Sequence, residues 1–260
     1  MTAELTIPAL LSMYALMLVP LAIFFYLQLG IIRETLISIV RMTVQLVLVG
    51  LYLKYIFQLN NPLVSLLWVV VMLVVANISI LNKAGLKAGL FFWRSMIGIA
   101  GSTLFVSGWF ILVAIRPEPF YDARYMVPIV GMILGNCLRS NVLSLERFYS
   151  GIRENEQAFM THLMLGATLR EATRPFLRTA VKAAVNPSVA TMATMGIVSL
   201  PGMMTGQILG GEMPMNAIKY QIGIMICIFV AMVTAALVNI LLSLSIAFDD
   251  HQRLKQDIFQ

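Results

Sequence analysis

The chain has 260 residues, 60% of them hydrophobic and 12% charged. Soluble globular domains carry about 25% charged residues, so an ordinary soluble fold is excluded and a bilayer is the expected solvent. The net charge of +6 suits anionic lipid or an acidic partner face and argues against nucleic acid, and Cys137 and Cys227, both in apolar runs, leave no disulfide framework.

In chain order, charge-free runs cover 5–32, 55–82, 95–115, 183–211 and 220–248. Each reaches the ~20 residues that a helix needs to cross a ~30 Å hydrocarbon core. Alternating segments of ~10 residues, the mark of a membrane β-barrel, do not occur, so the fold is read as all-α. Two weaker spans, 36–53 with Arg41 and Gln45 and 125–145 with Arg139, bring the predicted count to seven. The first run is too long for a signal-peptide core and follows Glu4, so it is read as a retained span. Placing the N-terminus outside and the C-terminus inside leaves 13 Lys and Arg inside, 4 outside and Arg41 in the membrane, as the positive-inside rule requires. Residues 1–260 then form a single integral membrane domain without a soluble domain or repeat.

Polar residues in or near the spans are few. An ionisable group in lipid costs at least ~2.5 kcal/mol, so Arg41 is expected to face protein or water. Gln45 lies one turn further along the same face, which makes the pair candidates for lining a path. A hydrogen bond between helices is the competing reading for Gln45, and the preferred one for Asn136. Arg139, Asn77, Asn141 and Asn186 complete the set.

The basic interruption from Arg139 to Lys182 holds seven of the 18 Lys and Arg residues. Leu145, Phe148, Tyr149 and Ile152, then Phe159, Met160, Leu163 and Met164, recur at three- and four-residue intervals, the period of an amphipathic helix, with a break expected near Gly151. Gly166 is placed to end that helix in the left-handed conformation, and Thr168 with Glu171 fits a capping box that starts the next. In this second helix Arg170, Arg174, Arg178 and Lys182 form a ridge, one reading of which is arginines snorkelling to headgroups. Pro175 predicts a bend. The whole region, about 146–182, is read as a cytoplasmic amphipathic hairpin.

Within 183–211, Pro201 predicts a break over 198–201 and a restarted half-helix from Gly202. Gly202, Gly206 and Gly210 share one face, a pattern that lets helices pack closely, and broken helices free backbone groups for substrate where they line a cavity. Pro201, Gly202, Met203 and Met204, with Asn136, are therefore candidate path residues. Thioethers suit Cu(I) better than Fe²⁺ and also simply fill cores. All 12 Asp and Glu are assigned to termini or loops, with Glu118, Asp122 and Glu212 outside, and His162 and His251 lie far apart in the sequence. No metal ligands are assigned, and neither a histidine cluster nor an intramembrane Ser-His pair is available.

The amphipathic helix, turn, capped helix and later proline resemble the cytoplasmic signature of ABC-transporter permeases. That signature begins Glu-Ala-Ala, passes a glycine and ends at a proline; here it reads Glu156, Gln157, Ala158, then Leu165, Gly166, Ala167, Thr168, then Asn186 and Pro187, with Gln157 in place of an alanine. Arg41, Gln45 and Gly50, the run Leu53-Lys-Tyr-Ile-Phe57, Pro128 with Gly131, Gly135 and Asn136, Val198-Ser-Leu-Pro-Gly-Met-Met-Thr-Gly206, and Ala217-Ile-Lys-Tyr-Gln221 resemble, in order, the FetB/YbbM family of bacterial permeases. The resemblance implies a homodimeric permease in the bacterial cytoplasmic membrane, paired with a separate FetA-like ATPase and implicated in iron export; plant relatives are linked to aluminium tolerance. It implies that Glu156, Ala158 and residues 165–168 couple to the ATPase, with ATP and Mg bound there. No Gly-x-x-x-x-Gly-Lys-Ser/Thr occurs in this chain, so no nucleotide hydrolysis is expected of it. Other cargo for the same machine, another metal or a nucleotide-sugar, and a non-transporting scaffold for ATPases remain open at this point. A secondary transporter lacks the intramembrane carboxylate it would need.

Overall fold

A computed structural model describes residues 6–249 and 251–259; Glu4, Leu5 and Asp250 lie outside them. The described residues are mostly helical, with three isolated bridges and no strand among them. Lipid imposes this, because each backbone N–H and C=O must find its partner within its own segment. The chain divides into two compact units, Met1–Leu59 and Asn60–Gln260.

The first unit holds α1 (Ile7–Ala15), α2 (Leu18–Tyr26) and α3 (Ile32–Leu59). Tyr14 Oη and Thr43 Oγ1 share a hydrogen bond of 2.7 Å that ties α1 to α3. Gln28 and Gly30, with φ of 50° and 71°, turn the chain between α2 and α3. Apolar side chains point in all directions from these helices, and Ile56 is the buried residue of α3. Lys54 was expected to separate two spans, but α3 runs through it. The turn falls instead at Asn60, with φ of 35°, and Asn61, whose side chain accepts from Leu63 N at 2.9 Å to cap the next helix. Turn chemistry, with a proline at the first helical position, outweighs one charge.

The second unit holds α4 (Pro62–Lys83), α5 (Ala88–Trp109) with a π-helical turn at Phe110–Ile115, α6 (Ala123–Glu154), α7 (Glu156–Met164), α8 (Leu169–Thr194), α9 (Gly202–Leu209) and α10 (Pro214–Ala247). Its core lies where α4, α5, α6 and α10 meet. Apolar burial gains little over lipid, so close approach through small residues has to hold such helices together. Ala231, Ala235 and Ala236 of α10 are fully buried. A Cβ on Gly98 of α5 would lie 2.6 Å from Asn239 Oδ1 and 3.3 Å from Asn239 N, so α5 and α10 touch almost backbone to backbone.

An uncharged polar seam crosses this core. Asn239 Nδ2 donates to Asn141 Oδ1 at 2.5 Å, Asn141 Nδ2 to Cys137 O at 2.7 Å, Tyr149 Oη to Ser243 Oγ at 2.5 Å, and Asn77 Nδ2 to Phe92 O at 2.9 Å. Each interhelical bond of this kind adds about 0.6 to 1.7 kcal/mol in a membrane protein. Asn136 takes no part: its amide folds back onto Met132 O at 2.8 Å in its own helix. The bond between helices belongs to Asn141 and Asn239.

Six helical stretches among the described residues are long and apolar enough to cross a membrane, at Pro8–Tyr26, Ile32–Leu59, Pro62–Lys83, Ala88–Ile115, Ala123–Glu154 and Pro214–Ala247. The remaining run, 183–211, is shared between the end of α8, a turn and the eight-residue α9. The expected restart at Gly202 is present, with Pro201 at the N-cap. Helix α8 continues through both Pro175 and Pro187.

Candidate functional site

The charged hairpin is built on the end of α6. That helix does not break at Gly151 but continues to Glu154, with Phe176 Cδ1 3.4 Å from where a Cβ on the glycine would stand. Glu146 and Glu154 therefore sit on a helix and not in a loop. Glu34 and Glu171 likewise lie in helical first turns, where a carboxylate meets the positive end of the helix dipole. The break comes at Asn155, with φ of −119° and ψ of 39°, whose Nδ2 donates to Gly151 O at 2.9 Å.

Helix α7 then lays one face on the core. Phe159 is buried, its ring centroid 6.4 Å from that of Phe176 in α8 and 5.6 Å from that of Phe248, and Met160 and Leu163 pack beside it. Glu156, Gln157, Ala158 and Thr161 are exposed. The helix ends as the sequence predicts: Gly166 has φ of 89°, and Ala167 N donates to His162 O at 3.1 Å across the turn. Thr168 N donates to Glu171 Oε2 at 2.8 Å, while Glu171 N donates to Thr168 Oγ1 at 3.4 Å, completing the capping box of α8. These bonds favour the charged carboxylate and hold the Glu171 carboxyl below its ordinary range.

The tip of the hairpin is apolar and bare. Met164 and Leu165 are 81% and 80% exposed, although the turn that carries them is held by defined hydrogen bonds. Glu146, Arg147, Glu154, Ala158, His162 and Thr179 border a cleft of about 530 Å³ beside α7.

A brace beneath this hairpin was not foreseen. After α10 the chain folds back, with Phe248 bridged to Leu254, a 3-10 turn at Gln256–Ile258, and Phe259 bridged to Leu86. Lys87 N donates to Ile258 O at 2.9 Å. Ile258 is fully buried, and Phe259 lies against Tyr149 and under the Arg153 guanidinium, 5.0 Å from its ring centroid. The available signal was the group Phe248, Leu254, Ile258 and Phe259 in an otherwise polar tail. Arg94, which stands just before the charge-free run 95–115, lies within α5 and donates to Leu242 O and Ser245 Oγ of α10.

Candidate path residues fall in both units. Arg41 and Gln45 lie one turn apart on an exposed face of α3 in the first. In the second, Met203 packs against the cluster that includes Ile129, Ile133 and Cys137 of α6, the helix that carries Asn136, while Met204 is half-buried. No heavy atom lies within 4 Å of where a Cβ would stand on Gly202 or Gly206, and at Gly210 the nearest are carbonyls of its own helix. The glycine face is open in the single chain. Among the described residues no three of His, Cys, Asp and Glu gather in a way that would hold a metal.

The model of an uncharacterised protein family, UPF0014, matches residues 7–248. The chain belongs to the UPF0014 family. UPF0014 membrane protein slr1647 of Synechocystis sp. is 37% identical over 82% of this chain and 83% of its own length. The probable iron export permease protein FetB of Escherichia coli is 36% identical over 87% of this chain and 86% of its own. Protein ALUMINUM SENSITIVE 3 of Arabidopsis thaliana is 32% identical over 74% and 69%. No solved structure matches the chain. UPF0014 membership agrees with the six apolar helices in making this a multi-pass membrane protein.

Proposed function

We propose that this chain is the membrane permease subunit of an ABC transporter that exports iron, driven by a separate ATPase seated on α7 and the turn that follows it. The observation that carries this reading is the bare apolar tip, Met164 and Leu165, on a turn made rigid by Gly166 and the Thr168 capping box. Exposed apolar side chains on an ordered, charged hairpin are the anchors that a partner's pocket takes up. Behind the tip, Phe159 bears on Phe176 of α8 and on Phe248 after α10. A push on α7 is therefore delivered to two long helices, as a rigid element in a closing cleft requires.

In this reading ATP and Mg are bound by the ATPase alone, and residues 1–260 act as one permease domain in the bacterial cytoplasmic membrane. The N-terminus is outside and the C-terminus inside, with 183–211 entering the bilayer as a seventh, broken segment. Two copies pair, and the open face of Gly202, Gly206 and Gly210 is where they approach. Iron as cargo rests on the name of the Escherichia coli relative. The name of the Arabidopsis relative makes aluminium the second ion to try.

The test is iron flux in proteoliposomes holding this chain and its ATPase, compared with an ATPase variant that binds but does not hydrolyse ATP. Flux that depends on hydrolysis is expected. Replacing Gly166 by Val, which resists the left-handed conformation, is expected to leave insertion intact and abolish coupling between hydrolysis and flux. Unchanged coupling would remove the turn from the mechanism.

A further inference from the structure

A groove of about 1140 Å³ runs between α8 and α10, and none of it belongs to the α7 tip. Its two ends differ in chemistry. Arg174, Arg178 and Lys182 stand one turn apart along α8, all exposed. The floor is formed by Val181 and Val185 of α8 and by Phe229, Val233 and Leu237 of α10. Phe159 joins Phe176 of α8 to Phe248 just after α10, and Ser188 Oγ donates to Met232 Sδ at 3.3 Å, so the two helices run antiparallel. Arg174 therefore lies at the end near the charged hairpin, and Phe229 at the end nearest the middle of α10. At 1.5 Å per residue, the 11 steps from Arg174 to Val185 rise roughly 16 Å, enough for a headgroup and the first half of an acyl chain.

We infer that this groove is a binding site for an anionic phospholipid, with its phosphate on Arg174, Arg178 and Lys182 and an acyl chain along Val181, Val185, Phe229 and Val233. Charge complementarity selects the occupant. Three cations in a row hold a phosphate in place, with the guanidinium forks able to bind it in bidentate fashion, and basic pockets between helices on the cytoplasmic side take up acidic headgroups. A second protein chain laid over the same groove would have to bring carboxylates to the ladder. Glu171, the one acidic side chain bordering the groove, has its carboxylate held by Thr168. The site is independent of which ion the permease carries.

The experiment is native mass spectrometry of the purified full-length chain in detergent, titrated with phosphatidylglycerol or with phosphatidylcholine of the same acyl chains. Phosphatidylglycerol is expected to remain bound where phosphatidylcholine does not. The triple variant Arg174→Gln, Arg178→Gln, Lys182→Gln is expected to weaken phosphatidylglycerol by at least about tenfold. A control with the same loss of charge elsewhere, Lys83→Gln, Arg253→Gln, Lys255→Gln, is expected to stay within about twofold of the unchanged chain. Val233→Trp, which fills the apolar end, is expected to weaken phosphatidylglycerol without touching a charge. Equal binding of the two lipids, or equal losses in the two triple variants, would overturn the inference. Displacement of the lipid by glycerol phosphate at millimolar concentration would reduce the site to a phosphate site. A change in subunit stoichiometry in the groove variant, with lipid adducts unaltered, would show that a second copy covers the groove.

Discussion

Helices α3 and α10 are both long and apolar, yet none of the most apolar stretch of α3 is buried within the chain while half of that of α10 is. Hydropathy does not order burial, since the least apolar span, Ala123–Glu154, is more buried than Pro62–Lys83. Small residues do: α10 carries Ala217, Ala231, Ala235, Ala236 and Ala247, all fully buried, whereas α3 has no alanine and a single glycine, Gly50, with open space around it. In lipid a helix gains nothing by hiding leucine from its surroundings, so packing goes to the surfaces that let backbones approach. Most apolar side chains of α3 are left exposed.

Breaking the packed unit is expected to cost most. Gly98→Leu, which drives a side chain into Asn239, should destabilise the protein by about 3 kcal/mol in a thermal or denaturant melt. Gly50→Leu on α3 should change it by less than about 0.5 kcal/mol; equal losses would mean that the first unit is packed after all. Next is Ile258→Ala, which opens a void in the brace and should cost about 2 kcal/mol, with faster hydrogen exchange over 156–168. Leu29→Ala, at an exposed position in the first unit, should do neither.

Asn141→Ala should cost about 1 kcal/mol through the lost bond to Asn239. Arg41→Ala with Gln45→Ala should leave the melt unchanged and lower flux. Normal flux with normal stability would exclude Arg41 and Gln45 from the path. The smallest effect is at the cap. Thr168→Ala should cost about 1 kcal/mol, read as faster exchange in the first turn of α8. The Glu171 carboxyl is held below its ordinary value of 4.5, so its capping contribution is complete above that pH and is lost as pH falls through the lowered value. Glu171→Gln should remove this pH dependence, and a profile that keeps it would assign it to another group.

The hairpin was the most legible part of the chain, because its signals are local: Gly166 for a left-handed turn, Thr168 and Glu171 for a cap, and the 3.6-residue period of Phe159, Met160 and Leu163. Span boundaries were less so. Lys54 and Arg94 suggested loops, but each lies within a helix, because a long side chain near a helix end can reach water or a neighbouring carbonyl. The partner of Asn136 was not legible either: its amide turns to Met132 O of its own helix. Nothing local marked Asn239 as the partner of Asn141, 98 residues away, nor Phe259 as the residue that meets Leu86 and Tyr149.

By itself the sequence determined the solvent, the all-helical class, the break before Gly202 and the hairpin with its turn, since each depends on hydropathy, proline and glycine, or a cap within a few residues. Only the tertiary structure decided which helices bury their faces, which amides meet, and how the tail braces the hairpin. Those outcomes depend on how closely two backbones can approach, and that distance is set jointly by residues far apart in the chain.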